Sequence, residues 1–100
     1  MKEPIVVTCS KDLEPLIPRY LTRRREEIGI LRAALDAGDY SKLRMTGHGL
    51  KGSGGGYGFH ALGEIGARIE RAAAATDAGA LEQLLAEHAD HIERLQVVYA

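Results

Sequence analysis

The sequence has a single cysteine, no tryptophan and few aromatic residues, and each scarcity excludes something. Cys9 alone forms neither an internal disulfide nor a cysteine-based zinc site. Aromatic residues make up only 5% of the 100 residues, so the core must be aliphatic. No apolar run approaches the roughly 20 residues that span a bilayer, and the N-terminus lacks the basic-then-apolar pattern of a signal peptide. We therefore expect a cytoplasmic domain that does not bind membranes.

An excess of charge of one sign is also missing. Lys and Arg together number 13 and Asp and Glu 14, which gives a formal net charge of −1. A nucleic-acid-binding domain normally carries a clear basic excess, so we expect no nucleic-acid partner. The length of 100 residues fits one small domain, and 45% hydrophobic with 27% charged residues is typical of a folded globular chain.

The spacing of apolar residues predicts an all-α fold, an antiparallel up-down four-helix bundle preceded by a short extra helix. Apolar side chains recur every three or four residues from Leu13 onwards, and short links between long helices indicate antiparallel neighbours. The predicted helices are a short one near 12–17, a long one near 18–37 after a break at Pro18, one that begins after Asp39, one near 59–75, and a last one from Asp77 whose apolar stripe reaches Tyr99.

Residues 1–11 are predicted to form an extended lead-in to a bundle domain over residues 12–100. The run from Ile5 to Thr8 is rich in β-branched residues, which favour strands. No second strand-like run follows in the sequence. We therefore expect this segment to lack a strand partner and to pack against the bundle as an extended chain.

Glycine is concentrated in one stretch, residues 47–58, where seven of twelve positions are Gly. An interior glycine costs a helix up to about 1 kcal/mol relative to alanine, so propensity alone predicts a loop here. Helical spacing gives a different interpretation. It places Leu43, Leu50, Gly54 and Tyr57 on one face and turns His48 about 140° away from that face, towards water.

If this stretch is a helix, it carries the residues that phosphoryl transfer requires. A neutral imidazole is nucleophilic near pH 7, and transfer needs an aligned nucleophile, close approach and positive charge for the phosphoryl oxygens. His48 is therefore the candidate phosphoryl acceptor, and Arg44 and Lys51 are the candidate phosphate contacts. Gly52 and Gly55 share its face and leave room for an incoming active site.

The run His48–Ser53, which reads HGLKGS, resembles the H-x-L-K-G-S motif of histidine phosphotransfer (HPt) domains. The resemblance covers roughly residues 12–97 in helix order and about 40–70 in motif detail. It implies an antiparallel four-helix bundle with a phosphorylatable histidine exposed in mid-helix. It also implies a relay between receiver-domain aspartates in a two-component system, without catalytic activity of its own. The later positions that match the family pattern are Tyr57-Gly58, Leu62 and Ile69-Glu70.

The resemblance also assigns roles to individual residues. It implies that His48 accepts the phosphoryl group on Nε2, that Lys51 contacts the phosphate, and that Gly52 permits close docking of the receiver. Ser53 falls on the flank of this surface and is expected to serve packing, hydrogen bonding or docking. The implied partners are a response-regulator receiver domain and a hybrid histidine kinase, and the implied state is a monomer. We expect no metal or cofactor in the domain itself, since Mg²⁺ would be brought by the receiver.

Two other functions stay open at this level. The chain is alternatively the phospho-accepting domain of a chemotaxis-type kinase, which also exposes a histidine on a bundle. It is alternatively a helical interaction module with no chemistry. An independent enzyme is not expected, because no second acid, base or metal cluster accompanies His48.

Other polar residues receive structural interpretations. His88 lies on the apolar stripe of the last predicted helix, where we expect it to be partly buried and hydrogen-bonded. The basic cluster at Arg19 and residues 23–25 is offset by Glu26 and Glu27, so we interpret it as a solvated face, with partner recognition as the alternative.

Overall fold

The computed structural model describes residues 2–100 and contains four helices and a two-stranded sheet. Each helix contacts the next along the chain, and the first also contacts the last. Links of two or three residues make consecutive helices antiparallel neighbours, so the predicted four-helix bundle is present. The elements in chain order are β1 (Ile5–Cys9), a 3₁₀ turn (Lys11–Leu13), α1 (Ile17–Asp36), α2 (Tyr40–Tyr57), α3 (His60–Ala74), α4 (Ala78–Arg94) and β2 (Leu95–Tyr99).

The short extra helix predicted near 12–17 is wrong. The chain makes one 3₁₀ turn at Lys11–Leu13, where the Ser10 hydroxyl oxygen accepts a hydrogen bond of 3.2 Å from the Asp12 backbone nitrogen. The long helix α1 then begins at Ile17, with Pro18 in its first turn. Proline is tolerated at this position because the N–H it lacks would have no partner within the helix. Pro18 therefore starts the long helix instead of separating two helices.

The prediction that the N-terminal strand has no partner is also wrong. Strand β1 pairs in parallel with β2, with Ile5 opposite Leu95 and Cys9 opposite Tyr99. The last helix accordingly ends at Arg94, because the following segment LQVVY is rich in strand-forming residues and alternates half-buried with exposed side chains. Parallel strands need a long crossover connection, and the whole bundle provides it here.

The apolar core is divided into two clusters along the bundle. One is built around Leu31, Leu43 and Leu81. The other is built around Ile17 and Phe59 and also includes side chains from both strands. None of the helices within residues 2–100 is long and apolar enough to cross a membrane.

Candidate functional site

The glycine-rich stretch is part of one continuous helix, α2, so the helical interpretation is confirmed and the loop expected from propensity is wrong. The Asp39 carboxylate caps the start of α2 and accepts a hydrogen bond of 3.0 Å from the Lys42 backbone nitrogen. The helix ends at Tyr57 and is capped by Gly58, whose φ of +90° favours glycine. The Phe59 backbone nitrogen donates back to the Gly54 carbonyl at 2.7 Å.

Four glycines let α2 and α3 approach so closely that backbone packs on backbone. A Cβ atom on Gly66 would lie 2.6 Å from the Lys51 backbone nitrogen, and a Cβ on Gly54 would lie 2.6 Å from the Gly63 backbone nitrogen. A Cβ on Gly47 would lie 2.8 Å from the Glu70 backbone nitrogen. Such distances are shorter than any van der Waals contact, so only glycine fits. The close contact brings Glu70 beside the turn of α2 that carries His48.

His48 stands out from α2 with its side chain 70% exposed. Its Nδ1 atom lies 2.9 Å from Oε2 of Glu70. The hydrogen bond with His48 lowers the pKa of Glu70 below its ordinary value, so Glu70 is an ionised carboxylate near neutral pH. A carboxylate only accepts hydrogen bonds, and Nδ1 of His48 therefore carries the proton and donates. In the neutral ring with its proton on Nδ1, the Nε2 atom carries the free lone pair.

Two cations predicted to contact phosphate lie near this imidazole. The Lys51 ammonium lies 3.6 Å from Oε1 of Glu70, so one carboxylate joins both His48 and Lys51. Arg44 lines a shallow groove of about 370 Å³ together with Met45, His48 and Glu70. In the part of the chain that the structure describes, no three His, Cys, Asp or Glu side chains are grouped to hold a metal ion.

The glycines on the exposed side of α2 have open space around them. A Cβ atom at Gly52 or Gly55 would meet nothing within 4 Å, and the same holds for Gly49 and Gly56. Ser53 lies towards α1 instead, where its hydroxyl is engaged by other side chains. The Tyr20 hydroxyl lies 3.0 Å from the Ser53 oxygen, and an Arg24 N–H donates to that oxygen at 3.2 Å.

The second histidine of interest, His88, differs from expectation. It is fully buried, not partly exposed, and lies along α4 between Leu85 of one core cluster and Ile92 of the other. Within residues 2–100, neither of its ring nitrogens has a hydrogen-bond partner. Burial, with the nearby His91 and Arg24 adding to it, lowers the pKa of His88 to about 4, so the ring is neutral at physiological pH. His88 is therefore a core residue whose ring nitrogens form no hydrogen bond with the described part of the chain.

The sequence assigns no functional role to Glu70, although Ile69-Glu70 matches the HPt family pattern. The partner of His48 lies 22 residues away on another helix, and helical periodicity says nothing about contacts between helices. One signal was available. Gly47 and Gly54 are seven residues apart on α2, and Gly63 and Gly66 follow on α3, a pattern that indicates a close contact between two helices.

One of three comparisons with known proteins found a match. A family model described as the Hpt domain matches residues 16–97, which is most of the chain and includes all four helices. No match was found among curated proteins or among solved structures. The exposed histidine on α2, the four-helix bundle and the extent of the family match lead to one conclusion. This chain belongs to the Hpt domain family, whose members carry phosphoryl groups on histidine in two-component phosphorelays.

Proposed function

We propose that His48 accepts a phosphoryl group from the aspartyl phosphate of a receiver domain and passes it on to a receiver aspartate. The observation that carries this proposal is the state of the imidazole. Its ring is 70% exposed, and Nδ1 is held by Glu70, so Nε2 is free to react. Family membership supports the coarser statement that the domain serves histidine phosphotransfer.

The transfer needs only groups that the two proteins supply. The Nε2 lone pair of His48 attacks phosphorus, an N–P bond forms, and the P–O bond to the receiver aspartate breaks. The electron pair of that bond leaves with the aspartate carboxylate. The ring gains positive charge during the attack, and the Glu70 carboxylate that accepts the Nδ1 proton's hydrogen bond stabilises this charge. Return transfer to a receiver follows the same steps in reverse.

Lys51 and Arg44 supply positive charge for the phosphoryl oxygens. Both side chains are exposed on the side of α2 that carries His48. Lys51 follows His48 by three residues and Arg44 precedes it by four, which is the spacing of neighbours on a helix face. Lys51 lies near Glu70 before transfer, and a phosphoryl group on Nε2 offers its ammonium a second anionic partner. Their role is electrostatic, so neither residue needs to lose or gain a proton.

The receiver docks over the open side of α2. Gly52 and Gly55 have no side chain that would keep the receiver's active site away from His48, and Ser53 borders the same surface. The domain acts as a carrier without kinase activity, and the Mg²⁺ that receiver chemistry uses belongs to the receiver. A hybrid histidine kinase is the proposed source of the phosphoryl group, and we place the domain in the cytoplasm as a monomer.

The test is a phosphotransfer assay that profiles a panel of phosphorylated receiver domains against wild-type protein and His48→Gln. Wild-type protein should gain an acid-labile label from at least one receiver, and His48→Gln should gain none. A wild-type protein that stays unlabelled with every receiver would contradict the proposal. If His48→Ala preserves partner binding and signalling output, the domain is an interaction module instead.

A further inference from the structure

A groove of about 420 Å³ runs between the first half of α1 and the last turns of α2. Phosphoryl transfer as described above does not use it. Its lining combines an apolar edge with three arginines and contains no acidic side chain. The lining residues that matter here are Leu16, Arg19, Arg23, Arg24, Ser53 and Tyr57.

The three arginines of this arginine groove are not equivalent. Arg24 is engaged by contacts within the domain. Its guanidinium lies 3.2 Å from the Glu27 carboxylate and 4.7 Å from the centre of the Tyr20 ring. Arg19 and Arg23 are exposed, and neither forms an ion pair or a side-chain hydrogen bond with any residue of the described range 2–100. The groove therefore presents two free positive charges.

The apolar edge of the groove is exposed as well. Leu16, which lines the groove together with Arg19, leaves 51% of its surface open to water. An exposed leucine next to free cations is the composition of a protein-docking surface, where an apolar contact is flanked by charges that select the partner.

The groove is continuous with the reactive surface of α2. At about 100° per residue, Gly52 lies about 40° around the helix from His48, Gly56 about 80° and Ser53 about 140°. Gly52 and Gly56 carry no side chain and have open space outside them, so a bare strip leads from the imidazole to the groove wall at Ser53. A partner that reaches His48 across this strip meets Arg19 and Arg23 at its far edge.

We propose that the arginine groove is a second docking contact for the phosphorylated receiver domain and selects receivers with an acidic rim beside the phosphoaspartate. This inference rests on the proposed function of His48. Charge complementarity argues for the occupant: the groove is cationic and free of carboxylates, and a domain that holds an aspartyl phosphate together with Mg²⁺-binding carboxylates is acidic at that surface. Arg19 and Arg23 act on encounter and affinity, not on the chemical step.

The experiment measures phosphotransfer from the receiver that labels wild-type protein fastest, at several receiver concentrations and at low and high salt. The double variant Arg19→Glu with Arg23→Glu should raise KM about ten-fold at low salt and leave kcat nearly unchanged. The difference from wild type should shrink at high salt because screening weakens exposed charges. The matched control is Arg25→Glu with Arg71→Glu, which changes the net charge equally at exposed positions outside the groove.

A small donor separates the two proposals. Phosphoramidate needs no docking surface, so it should label His48 equally fast in wild-type protein and in the double variant. If it does, and the double variant and the control have the same KM for the receiver, the arginine groove is not a docking contact. If neither phosphoramidate nor any receiver labels wild-type protein, the proposed function itself fails. The neutral variant Arg19→Gln with Arg23→Gln should give an intermediate KM, and it serves if charge reversal prevents folding.

Discussion

The contact between α2 and α3 differs from the packing between α1 and α4. Between α2 and α3, glycines remove the side chains and the two backbones touch, as at Gly66 and Lys51. On the α1 and α4 side of the core, full-sized side chains fill the space, and one of them is the buried imidazole of His88. The tight α2–α3 contact positions an exposed histidine, His48, on the surface, while the other side keeps a neutral histidine, His88, in the core.

The glycines of α2 divide in a related manner. Gly47 and Gly54 are buried against α3, where an added methyl group would collide with backbone. Gly52 and Gly55 face open space, where an added methyl group would touch nothing in this chain. One residue type therefore serves two purposes on one helix: the first pair allows the close α2–α3 contact, and the second pair leaves the surface beside His48 open.

The largest effect is expected for Gly66→Ala, which tests the close contact of α2 and α3. The new Cβ would lie 2.6 Å from the Lys51 nitrogen, and the helices must separate to accept it. We expect the free energy of unfolding, measured by urea denaturation, to fall by about 3 kcal/mol. Gly49→Ala, in open space, is the control and should not destabilise the fold. Equal stabilities of the two variants would disprove the close contact.

The second-largest effect is a loss of stability at low pH, which tests the burial of His88. Because the pKa of folded His88 is about 4, below the ordinary 6.5, the unfolded chain binds a proton more readily. The stability that the neutral ring contributes to the fold is therefore fully present above pH 6.5 and is lost as the pH falls towards 4. We expect a loss of about 2 kcal/mol between pH 7 and pH 5. The positive charge of Arg24, and that of His91 when it is protonated, further lower the pKa of His88.

His88→Leu is the matched variant for this measurement. It removes the titrating ring and keeps an apolar side chain in the core. Denaturation curves of this variant should lose about 2 kcal/mol less stability over the same pH range than those of the wild-type protein. An identical pH dependence in both proteins would show that another group is responsible.

A smaller effect is expected for Glu70→Ala, which uncouples the imidazole from α3. Without the carboxylate, Nδ1 of His48 loses the acceptor that fixes its proton. We expect kcat for transfer from a receiver to fall about ten-fold, which corresponds to about 1.4 kcal/mol, while KM stays constant. Glu70→Gln retains an oxygen acceptor and should recover part of the rate. An increase in KM alone would assign Glu70 to docking instead.

The smallest effect is expected for Gly52→Ala, which sharpens the contrast between the two glycine pairs. Alanine is the better helix former, and the site is open, so stability should rise by up to about 1 kcal/mol. The added methyl group should nevertheless slow transfer from a receiver without changing labelling by phosphoramidate. A loss of stability would show that this glycine is structurally required.

The sequence predicts the bundle and the exposed histidine well, because both depend on local periodicity. The faces of α2 follow from a turn of 100° per residue, and Leu43, Leu50 and Gly54 are buried as that spacing requires. What it does not predict depends on contacts between distant segments. The pairing of β1 with β2 joins residues 90 positions apart, and the bond between His48 and Glu70 requires the spacing of two helices.

Pro18 shows a different limit of sequence reasoning. Proline disfavours helical geometry at the preceding residue, and this predicts a break between two helices. It is equally suited to the first turn of a helix, and the structure begins α1 at Ile17. The residue type thus marks a helix boundary, but the three-dimensional context decides on which side of it the helix lies.

The central claim is that Glu70 holds Nδ1 so that Nε2 of His48 receives the phosphoryl group. Two-dimensional ¹H–¹⁵N NMR of the phosphorylated protein, labelled with ¹⁵N at histidine, tests it directly. The account predicts one phosphohistidine, at His48, with the phosphoryl group on Nε2 and a proton on Nδ1. A phosphoryl group on Nδ1, or on another histidine, would contradict it.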